Sequence, residues 1–83
     1  MLFRSCGAGE ALATAQALAA RLAGMAPNAV AGVKALLRQA TQTSLREQLD
    51  AERAEFIANL FHDNAAEGIA AFRARRAPGF GPA

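Results

Sequence analysis

Few residues of this 83-residue chain could do chemistry, and their spacing separates them. Asp50, Glu52 and Glu55 with His62 form the densest set of candidate acid/base or metal-binding groups. A single histidine lacks the companions that a zinc site requires, and carboxylates at this density on a helix pair with basic residues three or four positions away and face water. Asp50 and Arg53 are such neighbours, and His62 stands where an imidazole can cap the carbonyls of a preceding helix. Cys6 is the one cysteine; with no candidate histidine close by it reads as an ordinary thiol, and alone it excludes an internal disulfide. Gly7 and Gly9 lack the preceding strand and the remaining residues of a phosphate-binding fingerprint. We therefore assign no catalytic and no metal-binding residue. Among the basic residues only Arg73, Arg75 and Arg76 cluster, directly after Phe72.

The elements that hold these residues are helices. Punctuation divides the chain into four helical stretches, at about 10–24, 27–41, 44–62 and 64–76, with almost no strand signal, so the fold class is all-α. In the first stretch alanine supplies helix propensity, Ala11, Ala15, Leu18 and Leu22 share a stripe, and Gly24 is the stop. Pro27 suits the first turn of the second, where its missing N–H costs nothing. Ser44 and Glu47 have capping-box spacing at the start of the third, and Asn64 and Glu67 repeat that spacing at the start of the fourth, which Pro78 and Gly79 close. The apolar faces are thin. The chain is 53% hydrophobic, yet alanine provides 23 residues and Leu, Ile, Val and Phe together only 18. A chain this short buries only about 60 to 65% of its unfolded surface even when well packed, so the stripes call for a partner. The uncharged stretches 11–20 and 22–33 are shorter than the roughly 18 residues of a membrane span. Glu10 interrupts the place where a signal peptide would be apolar, so no export signal is read and a reducing, cytoplasmic setting is expected. The net charge is +2 and the basic residues are scattered over every helix with acids between them, which argues against a small nucleic-acid-binding helical protein, the alternative prompted by the cationic balance.

Residue order adds a resemblance. The third helix is followed without interruption by Asn64-Ala65-Ala66-Glu67-Gly68-Ile69-Ala70-Ala71-Phe72 and then by Arg75-Arg76-Ala77-Pro78-Gly79-Phe80. That string closely resembles the C-terminal end of the enoyl-CoA hydratase/isomerase (crotonase) superfamily. The stretches Ala17–Ala23, Ala26–Val30 and Lys34–Leu37 resemble its preceding helices, so the likeness runs from about Glu10 to Phe80. Asn64 stands where that family usually has aspartate and Arg75 where it commonly has lysine.

The resemblance implies that residues 10–83 are a C-terminal helical assembly domain, with 1–9 an unassigned segment. The superfamily's catalytic β-β-α region, with its oxyanion N–H groups and glutamates, has no counterpart in the string. The chain is accordingly expected to be no enzyme by itself and to require no cofactor. Its implied partners are further copies, joined as a homo-oligomer through helix faces, or intact family subunits; no nucleic acid or membrane partner is expected. The resemblance further implies coenzyme A thioester contacts, at Phe72 for the adenine and Arg75 for a phosphate, and with them an alternative acyl-CoA-binding or hydratase-related role alongside a partner chain. Guanidinium forks and aromatic faces suit phosphate and base. Against this, the reading adopted from the residues places Phe72 in a core and has Arg73, Arg75 and Arg76 complement a helix C-terminus. Eight arginines to one lysine fit a GC-rich bacterial genome, and fatty acid metabolism is the implied setting.

Overall fold

A computed structural model describes residues 4–83; of the unassigned segment 1–9, residues 1–3 lie outside the described residues. The described residues form four α-helices and no strand: α1 (Ala11–Ala23), α2 (Pro27–Gln39), α3 (Leu45–Leu60) and α4 (Asp63–Ala74). The all-α expectation holds, and the expected boundaries shift by one or two residues. No helix among the described residues is long and apolar enough to cross a membrane.

Local chemistry accounts for most ends. Gly24 closes α1, its N–H directed at the carbonyls of Ala20 and Arg21. Ala26, before a proline, is extended (φ −64°, ψ 116°), and Pro27 opens α2 as expected. Ser44 caps α3: its Oγ accepts the Glu47 N–H at 3.1 Å, while the Glu47 carboxylate meets the Ser44 hydroxyl at 3.0 Å. The cap of α4 differs from expectation. His62, not Asn64, is the N-cap, and its Nδ1 accepts the Asn64 N–H at 3.0 Å. His62 thus caps the helix that follows it and not the one that precedes it. The reason is tertiary: Asn64 and Glu67, which have the spacing of a local box, are both engaged by partners far along the chain.

Those partners build the fold. α2 and α3 form an antiparallel hairpin. At its closed end Gln48 Nε2 donates to the Leu36 carbonyl (3.1 Å), and the Thr43 hydroxyl lies within reach of Gln48 Oε1 (2.9 Å) and the Gln39 carbonyl (3.2 Å). Midway, Gly32 is buried against Glu55, and a Cβ at Gly32 would stand 2.9 Å from Glu55 Cγ. Glycine costs a helix interior about 1 kcal/mol relative to alanine; here it permits the close approach. At the open end, Asn28 Nδ2 donates to Asn59 Oδ1, whose own Nδ2 donates to the Glu55 carbonyl at 2.8 Å. Asn64 then ties α4 to α2, its Nδ2 donating to Asn28 Oδ1 at 2.8 Å.

Apolar packing contributes little within the chain. Among the described residues, Ala71 is the buried hydrophobic residue, and thirteen large apolar side chains, from Leu12 to Phe72, stay exposed. The radius of gyration is 16.2 Å, against about 12 Å for a compact domain of this length. The accessible surface is 6936 Å², against about 4,700 Å² for a compact monomer of this mass. Hydrogen-bonded amides therefore fix how α2, α3 and α4 meet. Asn64 is buried and makes three side-chain hydrogen bonds; at about 0.5 to 1.5 kcal/mol each, Asn64→Ala, which removes all three, should lower stability by about 2 to 3 kcal/mol. Ser44→Ala, a cap loss, should cost about 1 kcal/mol. Urea unfolding at one fixed protein concentration checks the order.

Candidate functional site

The cationic cluster lies where α4 ends and the chain turns back along it. Arg75 is in the left-handed conformation (φ 55°, ψ 44°). Its N–H bonds the Phe72 carbonyl at 3.2 Å, and the Arg76 N–H bonds the Ala71 carbonyl at 3.0 Å, the paired bonds that satisfy a helix end when the chain reverses. The returning tail is held at three points. Glu67 receives both terminal nitrogens of Arg76, at 2.7 and 2.9 Å, and the Gly79 N–H at 2.7 Å. Gly68 faces the Phe80 ring, with 3.7 Å between Cε1 and the position a Cβ would take. Asn64 reads both sides of one peptide unit's neighbourhood: its Oδ1 accepts the Gly81 N–H at 2.8 Å and its Nδ2 donates to the Gly81 carbonyl at 2.9 Å. The Asn-x-x-Glu-Gly and Pro-Gly-Phe-Gly pieces of the sequence string are the two halves of this latch. Sequence reasoning missed it. The available signal was a pair of polar residues one turn apart, followed after the helix by glycines whose bare backbone can approach a helix closely.

The structure distributes the expected site residues unevenly. Phe72 and Arg75 are both exposed, on the last turn of α4 and at its cap. Phe72, 85% exposed, is not core; that expectation is corrected, because α4 turns the adjacent Ala71 inward and carries Phe72 outward. Arg73 is exposed as well, whereas Arg76 is withdrawn from the cluster by Glu67. The Arg76 hydrogen bonds, helped by the Gly79 N–H, hold the Glu67 carboxyl down at about 2, and the same contact raises the Arg76 guanidinium further.

Elsewhere, no set of three metal-ligating side chains converges among the described residues. Asp50 and Arg53, expected to pair, do not; Glu67–Arg76 is the ion pair among the described residues. Cys6 is exposed. The Gly7 N–H is bonded to the Glu10 carboxylate at 3.2 Å, and Gly9 (φ 78°) completes a turn before α1. Two of the remaining concave surfaces are largely apolar. A groove of about 230 Å³ between α2 and α3 is lined by Ala29, Val33, Leu36 and Phe56, with Glu52, Glu55 and Asn59. A second depression, of about 330 Å³, shares Ala29 and Val33 and adds Leu22, Met25, Val30 and Lys34.

Comparison with known proteins places these helices. No family model and no curated protein matches the chain. Solved structures do: an enoyl-CoA hydratase from Polaromonas sp. JS666 superposes with a TM-score of 0.88 and 43% identity, over 92% of this chain and 30% of its own. The chain is a helical region of the enoyl-CoA hydratase/isomerase (crotonase) superfamily. A probable enoyl-CoA hydratase/isomerase from Mycobacterium abscessus follows at 0.83 and 29% identity, covering 95% of this chain and 31% of its own. An enoyl-CoA hydratase from Mycobacterium marinum follows at 0.82 and 28%, covering 92% and 31%. The chain thus spans about 30% of the length of the superfamily members it matches.

Two measurements test the latch of this crotonase-superfamily region. A left-handed arginine costs about 1 kcal/mol that glycine avoids. Arg75→Gly should therefore raise stability by up to about 1 kcal/mol in thermal unfolding at fixed concentration. The Glu67 carboxyl is depressed in the folded chain, from 4.5 to about 2, so its stabilising contact is complete above 4.5 and lost as the pH falls through about 2. The Gly79 amide resonance should follow that acid titration, and in Glu67→Gln it should not.

Proposed function

We propose that this helical region is an assembly domain: it joins copies of itself through its exposed apolar helix faces, and by itself it neither hydrates nor isomerises acyl-CoA. The observation that carries the reading is the imbalance of burial, thirteen large apolar side chains exposed against one buried alanine among the described residues. The surface in excess of a compact monomer, about 2,200 Å², is more than the roughly 800 Å² that each partner buries in a standard interface. The helices supply no convergent acid/base pair: Asp50, Glu52 and Glu55 lie along α3, and Glu67 is committed to Arg76. Intact superfamily subunits present the same need for helix cover and are the second class of partner, in a cytoplasmic setting.

Coenzyme A contacts at Phe72 and Arg75 belong to the same proposal. The exposure of both side chains at one end of α4 supports it, since an aromatic face and a guanidinium are there free to meet an adenine and a phosphate. No cofactor is needed for the assembly role.

Sedimentation velocity across the micromolar range should show species larger than the monomer, and incubation with an unsaturated acyl-CoA thioester should give no turnover. A stable, well-folded monomer at all concentrations overturns the assembly reading. Turnover proportional to protein overturns the catalytic one.

A further inference from the structure

Two arrangements compete for the start of α4. Asn64 and Glu67 have the spacing of a capping box, in which the Asn64 side-chain oxygen accepts the Glu67 N–H and the Glu67 carboxylate accepts the Asn64 N–H. In the fold the groups such a box needs are held by other partners. The Asn64 N–H donates to His62 Nδ1 at 3.0 Å, the Asn64 Oδ1 accepts the Gly81 N–H at 2.8 Å, and the Glu67 carboxylate takes Arg76 and the Gly79 N–H.

The two arrangements exclude each other. A capping residue has extended backbone and stands outside the helix, whereas Asn64 is the second residue of α4, buried between Asn28 and the tail. Turning Asn64 out to cap makes α4 begin at Ala65 and takes its side chain away from Asn28 and Gly81 together. The arrangement seen here wins while the tail is in place, because it offers Asn64 and Glu67 more partners than the box does, the two-pronged Arg76 contact among them. The tail reaches α4 only through Asn64, Glu67 and the ring of Phe80 against Gly68, so its docking and the start of the helix depend on the same side chains.

We propose that α4 is a two-position element switched by the tail. With Gly79 and Gly81 docked, His62 caps the helix and Asn64 ties it to α2; with the tail withdrawn, Asn64 and Glu67 close their own box, α4 begins at Ala65, and Asn28 loses its tie. The exchange runs between two formed helix ends, so releasing the tail loosens α4 from the hairpin without melting it. Because Asn28 is bonded onward to Asn59 of α3, the state of the tail is transmitted to both helices of the hairpin. Capture or cleavage of a terminal segment thereby controls a junction 36 residues away in sequence. The device stands apart from self-association and from coenzyme A contacts, and neither is needed for it.

Backbone NMR on the full chain tests it. The double variant Gly79→Pro, Gly81→Pro removes the two tail N–H donors without touching a helical residue. The carbon shifts of Asp63 and Asn64 should move from helical to extended values, while Ala65 to Ala74 stay helical. In that background Asn64→Ser, which still caps, should leave amide exchange along α4 unchanged, and Asn64→Ala should quicken it about fivefold. Helical shifts retained at Asp63 and Asn64, equal effects of serine and alanine, or an α4 that melts outright would each overturn the switch. His62→Ala approaches the same exchange from the other side, since it removes the present cap and leaves every tail residue in place. Asn64 should then shift toward cap values and the Gly81 amide should exchange faster; an unchanged Asn64 and Gly81 also overturn the proposal.

Discussion

The Asn64 side chain has two N–H donors and one carbonyl, and in this fold all three are engaged: one donor to Asn28 of α2, the other and the carbonyl to Gly81 of the returning tail. Because the amide is planar and rigid, these bonds fix the tail and α2 relative to the same helix turn. Asn28 in turn donates to Asn59, and Asn59 to the Glu55 carbonyl one turn earlier on α3. A single chain of amides therefore runs through three helices and the tail. Were it apolar, the same junction could slide, since alanine surfaces offer many packings of similar energy. Directional bonds allow one.

The same economy explains the distribution of bulk. Large side chains in the interior would give a private core, but the chain places them on the outside of the helices and uses Gly32, Gly68 and Ala71 where elements touch. Close backbone approach with polar ties gives the scaffold its shape, and the apolar faces remain available to other surfaces. A protein of ordinary monomeric design would reverse the two. The superfamily likeness agrees with this, because about 70% of each matched chain lies outside these helices, and such faces can lie against it.

Most of the architecture was legible from local signals. Pro27, the Ser44 cap, Gly24 and the alanine runs act within a few residues of themselves and do in the structure what their chemistry predicts, whereas Glu47 returns to the Ser44 hydroxyl and not to its N–H, so only half of the expected box forms. The failures share a cause. Asn64 and Glu67 have the pattern of a cap, but their partners are 17 and 36 residues away for Asn64 and 9 and 12 for Glu67, and no local rule weighs a local bond against a distant one. His62 took over the cap they vacated. Phe72 was misplaced for a related reason: periodicity marks a face as apolar without saying whether this chain covers it. The candidate site was legible only in its residue types, since the withdrawal of Arg76 from the cluster depends on where the tail returns.

The turn at Arg75 also orders the making of the fold in time. Closing a contact costs more entropy the longer the loop that it closes, and chains dominated by near neighbours find them first. The left-handed step after Ala74 brings Arg76 and Gly79 onto Glu67 across only 9 and 12 residues, and Gly81 onto Asn64 across 17. The tie from Asn64 to Asn28 spans 36. The tail and α4 can therefore assemble as a unit before α2 arrives, and that unit presents an Asn64 already oriented by Gly81, with one N–H left to find Asn28.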